Sequence, residues 1–161
     1  MPPRPAPKAK LPPHRAGEFP PHLSLGYLVR DAHRAFQRLL ERRISPFGVT
    51  RGQWYFLRVL WITDGLSQRE LSARVGMMEP TTVIALRSME KSGLIRRVRG
   101  DDDRRKVLVF LTAKAKRLRS ELLTVARTIT DEAEEGIAPR DLAAFRRIVA
   151  RMTENLDRIE R

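Results

Sequence analysis

The sequence predicts a mainly α-helical domain that carries one small β-hairpin. Apolar residues recur at helical spacing through both halves of the chain, and a β-rich pattern replaces this period only between about residues 94 and 111. The chain has 161 residues, of which 42% are hydrophobic. It therefore has the length of one domain and enough apolar side chains to form a core.

Charge and composition narrow the class of protein. Thirty-two Lys and Arg residues against 19 Asp and Glu residues give a net charge of +13, which indicates a polyanionic partner, either nucleic acid or an anionic membrane surface. The absence of cysteine excludes a disulfide scaffold, a thiolate zinc site and a cysteine nucleophile. No apolar run approaches the ~20 residues that span a bilayer, and the N-terminus lacks the apolar region of a secretory signal. We therefore expect a soluble, cytoplasmic protein without a membrane partner.

Residues 1–22 are predicted to form a disordered basic tail. Seven of the eleven prolines lie within the first 20 residues, and proline supplies no amide donor to a helix or a sheet. The remainder of the chain, residues 23–161, is predicted to be a single domain.

Two helices are predicted at the start of that domain. The first covers about residues 24–45 and ends at Ser45-Pro46, because the residue before a proline is disfavoured in helical geometry. Thr50 and Gln53 have the spacing of a capping box, in which each side chain bonds the backbone amide of the other residue. This box predicts a second helix over about residues 51–62.

Two shorter helices follow with a tight break between them. A second capping box, formed by Ser67 and Glu70, begins a helix that ends at Gly76. Pro80 suits the first turn of the next helix, where its missing amide is harmless, and Gly93 ends that helix. Two such helices form the helix-turn-helix pattern.

The hairpin and two long helices complete the chain. Residues 94–99 and 106–111 are β-rich, and residues 100–105 between them have the composition of a turn. Thr112 is predicted to cap a helix that continues to about residue 135. Pro139 begins a last helix that extends to the C-terminus.

The first and last helices carry apolar stripes that have no obvious partner within so small a chain. We therefore expect a dimer in which the terminal helices, about residues 24–45 and 112–161, interdigitate across a two-fold axis. A monomeric helix bundle is the alternative. The helix-turn-helix pattern and the hairpin lie between the terminal helices, over about residues 50–111.

Five short blocks of sequence carry a recognisable pattern, and they are Phe47–Trp54, Asp64–Leu71, Met89–Ile95, Asp103–Arg105 and Leu111–Thr112. In this order and spacing they resemble the MarR family of bacterial transcription regulators over residues 23–160. The resemblance implies a homodimeric winged helix-turn-helix protein that binds a pseudo-palindromic operator. It also implies that a small molecule, often an aromatic acid or a phenolic compound, releases the DNA. Two extra aspartates before Asp103, and the lack of a glycine shortly after Thr112, depart from the family pattern.

The helix that begins near Pro80 is the candidate recognition helix. Its spacing predicts a buried face formed by Thr82, Ala85, Leu86 and Met89. Thr81 and Arg87 then point outward, where they would bond base edges or phosphates, and Val83 and Ile84 would contact thymine methyl groups. The alternative is a helix buried on both sides, in which the two aliphatic side chains pack on a neighbouring element.

The hairpin is the candidate wing. Arg104 and Arg105 at its tip would enter a minor groove, where narrow A·T tracts concentrate negative potential. The family pattern implies that Asp103 holds a wing arginine in position, and Arg97 and Arg99 would contact phosphates. The alternative is a solvated hairpin with weak surface ion pairs. Ser67 and Gln68, at the start of the first helix of the motif, are two further candidates for donating to a phosphate. A role as a helix cap explains Ser67 at least as well.

Four residues are candidates for holding a small aromatic acid: His22, His33, Arg51 and Trp54. Arg51 would bind a carboxylate and Trp54 would stack on a ring. The plainer alternatives are an exposed position for Arg51 and a core position for Trp54. No metal site is predicted, because the three histidines lack a neighbouring carboxylate cluster, and no cofactor is expected.

These observations favour a sequence-specific transcription repressor that binds double-stranded DNA and responds to a ligand. The alternative is a basic architectural protein that binds DNA without sequence preference, and binding to scrambled DNA separates the two. An enzyme is not expected, because the sequence contains no Ser–His–acid set, paired catalytic carboxylates or phosphate-binding loop.

Overall fold

The computed structural model describes residues 24–99 and 106–160. These residues form a mainly helical fold with a small sheet, which confirms the predicted fold class. The helices are α1 (Leu25–Ile44), α2 (Arg51–Leu60), α3 (Gln68–Val75), α4 (Glu79–Lys91), α5 (Ala113–Glu134) and α6 (Pro139–Ile159), with a 3₁₀ turn at Ser45–Phe47. The strands are β1 (Leu66–Ser67), β2 (Ile95–Arg99) and β3 (Val107–Leu111). The chain divides into two units, and the boundary falls between Phe36 and Gln37, within α1.

Both predicted capping boxes are present. Thr50 Oγ1 accepts from the Gln53 amide at 3.3 Å, and Gln53 Oε1 accepts from the Thr50 amide at 3.0 Å. Ser67 and Glu70 make the equivalent pair of bonds at the start of α3. Because each box bonds amides that a helix start leaves without partners, both helices begin where the sequence predicts. The helix α2 ends at Leu60, slightly before the predicted end.

The break between α3 and α4 depends on a left-handed glycine. Gly76 follows α3 with φ of 70°, and Gly93 follows α4 with φ of 67°. Residues with a Cβ are disfavoured in this region, so glycine ends both helices at little cost. The helix α4 begins at Glu79, and Pro80 occupies its first turn as predicted.

The sheet has three strands rather than the predicted two. Its order is β1-β3-β2, and both pairings are antiparallel. Leu66 lies opposite Val109, and Ile95 lies opposite Leu111. The prediction missed β1 because a two-residue strand shows no alternation of apolar and polar residues. The predicted hairpin turn, residues 100–105, lies outside the described residues.

The core of the second unit joins the helix-turn-helix to the sheet and to α5. Its fully buried side chains include Phe56, Leu57, Leu71, Leu86, Leu94 and Leu122. Burial of each such side chain contributes about 1.5–3 kcal/mol. Since α2, α3, α4 and α5 all supply members of this cluster, the core fixes the orientation of α4.

Two tryptophans connect α2 to α5. The rings of Trp54 and Trp61 pack edge to face, with centroids 5.9 Å apart. The indole Nε1 of Trp61 donates a buried hydrogen bond of 3.0 Å to the carbonyl oxygen of Ala115. The C-terminal end of α2 is therefore tied to the first turn of α5.

The helices at the two ends of the described chain expose apolar side chains. The helix α6 has no buried residue, and Phe145, Ile148, Leu156 and Ile159 are 53–79% exposed. On α1, Leu25, Leu28 and Val29 are 43–58% exposed. Within residues 24–99 and 106–160, none of the helices combines the length and hydropathy needed to cross a membrane.

Candidate nucleic-acid interface

The helix α4 has one buried face and one open face. Thr82, Leu86 and Met89 are fully buried, as the spacing predicts, whereas Ala85 is half-buried. The opposite face contains Thr81, Ile84 and Arg87, which are exposed, and Val83, which is half-buried. The face that is predicted to contact DNA is therefore exposed to solvent, apart from Val83.

The open face of α4 combines an apolar side chain with polar neighbours. Ile84 is 69% exposed, so its apolar side chain faces water beside the Thr81 hydroxyl and the Arg87 guanidinium. Arg87 makes no ion pair with a carboxylate of the described chain. A face of this kind can bond base acceptors and contact a thymine methyl group in a major groove.

Ser67 acts as a helix cap in this structure. Its hydroxyl donates to Glu70 Oε2 at 2.6 Å and accepts from the Glu70 amide at 3.2 Å. The bond donated by Ser67 is the main reason that the pKa of Glu70 lies below its ordinary value. The hydroxyl proton of Ser67 is thus engaged, and the capping alternative describes this residue.

Gln68 lies beside Ser67 in the first turn of α3. It is half-buried, and its Oε1 is buried without a hydrogen-bond partner among the residues described. Its amide nitrogen is the group that can donate to a phosphate.

The strand β2 places its arginines in different environments. Arg97 is occupied within the protein: its Nε and one terminal nitrogen lie 3.0 and 2.6 Å from Glu90 Oε2. Arg99 is exposed, and Arg96 stacks on Phe110 with its guanidinium 4.8 Å from the ring centroid. In this structure Arg97, which the sequence predicts to contact a phosphate, is paired with Glu90. The other wing candidates, Asp103, Arg104 and Arg105, lie outside the described residues.

Asp64, which the sequence analysis did not single out as a functional residue, anchors the base of the hairpin. Asp64 Oδ1 accepts from the amides of Gly65 at 3.1 Å and Leu111 at 2.8 Å. Its Oδ2 lies 3.2 Å from Lys116 Nζ. One carboxylate therefore connects the end of α2, the end of β3 and the first turn of α5. The sequence signal was the Asp-Gly pair, in which aspartate commonly bonds a nearby amide.

The residues predicted to bind a ligand fall into different environments. Trp54 is 5% exposed and belongs to the core, which agrees with the plainer alternative. Arg51 is exposed, and its Nε lies 3.7 Å from Glu41 Oε2. His33 is exposed on α1, and His22 lies outside the described residues. The described residues contain no group of three His, Asp or Glu side chains that could hold a metal ion.

An open cleft of about 390 Å³ lies between α2 and α5. Its lining residues are Arg58, Leu123, Thr124, Ala126, Arg127 and Thr130. Sequence reasoning did not find this cleft, because Arg58 and the α5 residues are far apart in the chain. The signal that could have found its α5 side is the helical spacing of 123, 126, 127 and 130.

The cleft has a cationic character. The Arg58 guanidinium lies 5.5 Å from the ring centroid of Trp54, and within the described part of the chain neither Arg58 nor Arg127 has a carboxylate partner. Thr124 and Thr130 donate their hydroxyl protons to backbone carbonyls of α5. Two guanidinium groups beside Leu123 and Ala126 can bind a carboxylate that carries an apolar group.

Comparisons with known proteins agree with this architecture. The model of the MarR family matches residues 47–106. The HTH-type transcriptional regulator TtmR of Methylorubrum extorquens (strain PA1) is 32% identical over 105 residues, which cover 65% of this chain and 54% of TtmR. The match thus spans about half the length of that relative.

Solved structures match over more of the chain. A MarR transcriptional regulator from Methanosarcina mazei Go1 has a TM-score of 0.77 and 28% identity, covering 84% of this chain and 97% of that one. The transcriptional repressor CouR, solved bound to a 23-mer DNA duplex, shares the fold with a TM-score of 0.75 and 24% identity, covering 81% and 92% of the two chains. With its winged-helix fold, the chain belongs to the MarR family of transcriptional regulators.

Proposed function

We propose that this protein is a cytoplasmic, sequence-specific DNA-binding regulator that represses transcription from a pseudo-palindromic operator. The observation that carries the proposal is the open face of α4, where Ile84 is 69% exposed beside Thr81 and Arg87. This face therefore presents an apolar group and hydrogen-bonding groups together on one side of the helix. A major groove admits a helix, and it presents thymine methyl groups to Ile84 and guanine acceptors to Arg87.

The hairpin extends the contact to the DNA backbone. Arg99 at the end of β2 is exposed and would contact a phosphate, and Gln68 would donate to a phosphate from the first turn of α3. Arg104 and Arg105 would enter the adjacent minor groove, with Asp103 holding one of them. CouR, which shares this fold, is bound to a DNA duplex. The net charge of +13 favours the same partner.

A second copy of the chain would cover the apolar faces of α1 and α6. Phe145, Ile148, Leu156 and Ile159 on α6 are more than half exposed, and their burial between two copies would stabilise a homodimer. A two-fold axis then presents two copies of α4 to the DNA. Because such half-sites lie about one helical turn apart, the operator should show two-fold symmetry with centres ~10 bp apart.

The cleft between α2 and α5 supplies a site for a releasing ligand. Its arginines, Arg58 and Arg127, would bind the carboxylate of a small aromatic acid, and Leu123 and Ala126 would pack against the ring. Such a ligand releases DNA only if it binds the DNA-incompetent conformation more tightly. This cleft replaces Arg51 and Trp54 as the candidate carboxylate and ring contacts, whereas roles for His22 and His33 stay predictions.

Arg127→Ala tests the ligand site separately from DNA binding. Aromatic carboxylates such as benzoates should raise the melting temperature of the parent protein and lower its affinity for DNA, and both effects should be lost in the variant. Its affinity for DNA without ligand should stay unchanged. Retention of both ligand effects in Arg127→Ala would place the ligand elsewhere.

Selection of bound sequences from random duplex DNA tests sequence-specific binding itself. The purified protein should enrich a two-fold symmetric motif with half-site centres ~10 bp apart. Arg87→Ala should lose the enrichment of at least one base position. Arg140→Ala removes an equal charge from α6, where the side chain is 88% exposed, and should leave the motif unchanged. If the bound DNA shows no enriched motif, the alternative of an architectural protein without sequence preference is favoured.

A further inference from the structure

The pair formed by Glu90 and Arg97 joins the recognition helix to the wing strand. Glu90 lies in the last turn of α4, and Arg97 is the central residue of β2. The Arg97 side chain donates to Glu90 Oε2 at 2.6 and 3.0 Å, and the Arg97 amide donates to Glu90 Oε1 at 3.2 Å. One carboxylate therefore holds both the side chain and the backbone of the strand.

The place of β2 in the sheet explains why the backbone bond is available. The strand order β1-β3-β2 makes β2 an edge strand, and an edge strand leaves backbone amides without a strand partner. Glu90 accepts from one of these amides in place of a neighbouring strand. The last turn of α4 and the middle of β2 are thereby fixed at one separation.

The pair also changes the charge of the surface between α4 and β2. The side chains of Arg97 and Glu90 are 26% and 39% exposed, so they lie at the surface of a strongly basic protein. The bonds from Arg97 keep the pKa of Glu90 below its ordinary value, and Glu90 is therefore ionised near neutral pH. It places a negative charge between α4 and β2 and neutralises an arginine that could otherwise bind any phosphate.

We propose that Glu90 is a positioning residue. It lowers the affinity for DNA of any sequence and raises the preference for the operator. The inference rests on the proposed function, in which α4 reads the major groove while residues 100–105, which follow β2, reach the minor groove. The major groove of B-DNA is about 12 Å wide and the minor groove about 6 Å wide, so elements that enter both grooves need a limited range of separations. A separation of α4 and β2 that is set before binding lets both contacts form at a lower entropic cost.

Glu90→Gln tests the proposal on two DNA duplexes, the selected operator and a base-scrambled copy. The glutamine keeps one acceptor oxygen but carries no charge, so Arg97 loses its ion pair and should gain a phosphate contact, and affinity for scrambled DNA should rise. The slope of log affinity against log salt should become steeper by about 0.9 for that one contact. The preference for the operator should fall at least ~10-fold, toward the level of non-specific binding.

Two matched variants separate positioning from net charge. Glu121→Gln removes the same charge from an exposed site on α5 that makes no ion pair within residues 24–99 and 106–160. It should change the affinity for both duplexes by the same factor and leave the operator preference intact. The double variant Glu90→Gln/Arg97→Gln should restore the parent salt slope without restoring the preference.

Three outcomes distinguish the failures. Equal binding of both duplexes by the parent protein would overturn the proposed function before any variant is measured. If the parent protein prefers the operator and Glu90→Gln keeps the same preference, the positioning role is overturned and the proposed function is not. If circular dichroism shows Glu90→Gln to be unfolded at the binding temperature, Glu90→Asp replaces it. That variant keeps the charge and shortens the reach, and it should lower the preference at an unchanged salt slope, whereas an unchanged preference would overturn the role.

Discussion

Gly65 lies directly against the ring of Phe110. A Cβ at position 65 would be 2.7 Å from Phe110 Cε1, and Gly65 has φ of +76°. The turn after α2 is therefore packed on β3, and on the same ring the guanidinium of Arg96 stacks at 4.8 Å. Together with the hydrogen bonds that Asp64 accepts, this contact fixes the base of the wing to the core.

Gly65→Ala should destabilise the protein through two separable effects. The left-handed backbone costs about 1–2 kcal/mol for a residue with a Cβ, and the clash with Phe110 adds about 1–3 kcal/mol. Gly76→Ala is the control, because Gly76 has φ of +70° with nothing within 4 Å of its Cβ position. Urea denaturation should show a clearly larger loss for Gly65→Ala, and equal losses would mean that the ring moves aside without cost.

The two capping boxes should respond differently to pH. The pKa of Glu70 is lowered in the folded state, chiefly by Ser67, so the stabilisation is present above the ordinary carboxyl pKa and is lost as pH falls through the lowered value. Ser67→Ala should therefore destabilise the protein more near neutral pH than in acid. Thr50→Ala should cost about 1 kcal/mol throughout, because its partner Gln53 does not titrate. Denaturant titrations at several pH values measure both, and parallel profiles would contradict the assignment.

Thr82→Val should stabilise the protein. Thr82 is fully buried, and its Oγ1 has no hydrogen-bond partner among the described residues. Replacing this hydroxyl by a methyl group of similar volume removes a desolvation penalty, so the free energy of unfolding should rise by about 1 kcal/mol. Thr128→Val, at an exposed position on α5, should change it by less than ~0.5 kcal/mol. A loss of stability in Thr82→Val would reveal a partner for the hydroxyl.

Arg105→Ala tests the predicted wing contact. Loss of a minor-groove arginine should weaken operator binding by at least ~1 kcal/mol and leave the dimer intact. Fluorescence anisotropy measures the affinity, and sedimentation equilibrium measures the assembly. Arg140→Ala on α6 serves as the charge control. Unchanged affinity in Arg105→Ala would remove this arginine from the mechanism.

The helix boundaries were predictable because their signals are local. The Thr50–Gln53 and Ser67–Glu70 boxes each span four consecutive residues, and Gly76 ends its helix by its own backbone geometry. The strand β1 was not predictable by the same means, since it exists only through its pairing with β3.

The candidate site was predictable on α4 but not on β2. Helical spacing alone separates Ile84 and Arg87 from the buried face, because that face repeats along the helix. The ion-pair partner of Arg97 depends on the path that β2 takes after Gly93. The sequence offered no reason to pair Arg97 with Glu90. The α2–α5 cleft was missed for a similar reason, because tertiary packing alone brings Arg58 and Arg127 to the same cleft.

Titration of the selected operator and its base-scrambled copy tests the central claim most directly. The purified protein is measured by fluorescence anisotropy at ~150 mM salt, because non-specific binding dominates at low salt. Reading of bases by α4 predicts a preference of ~10³-fold or more for the operator. Comparable affinities for the two duplexes would contradict sequence-specific recognition.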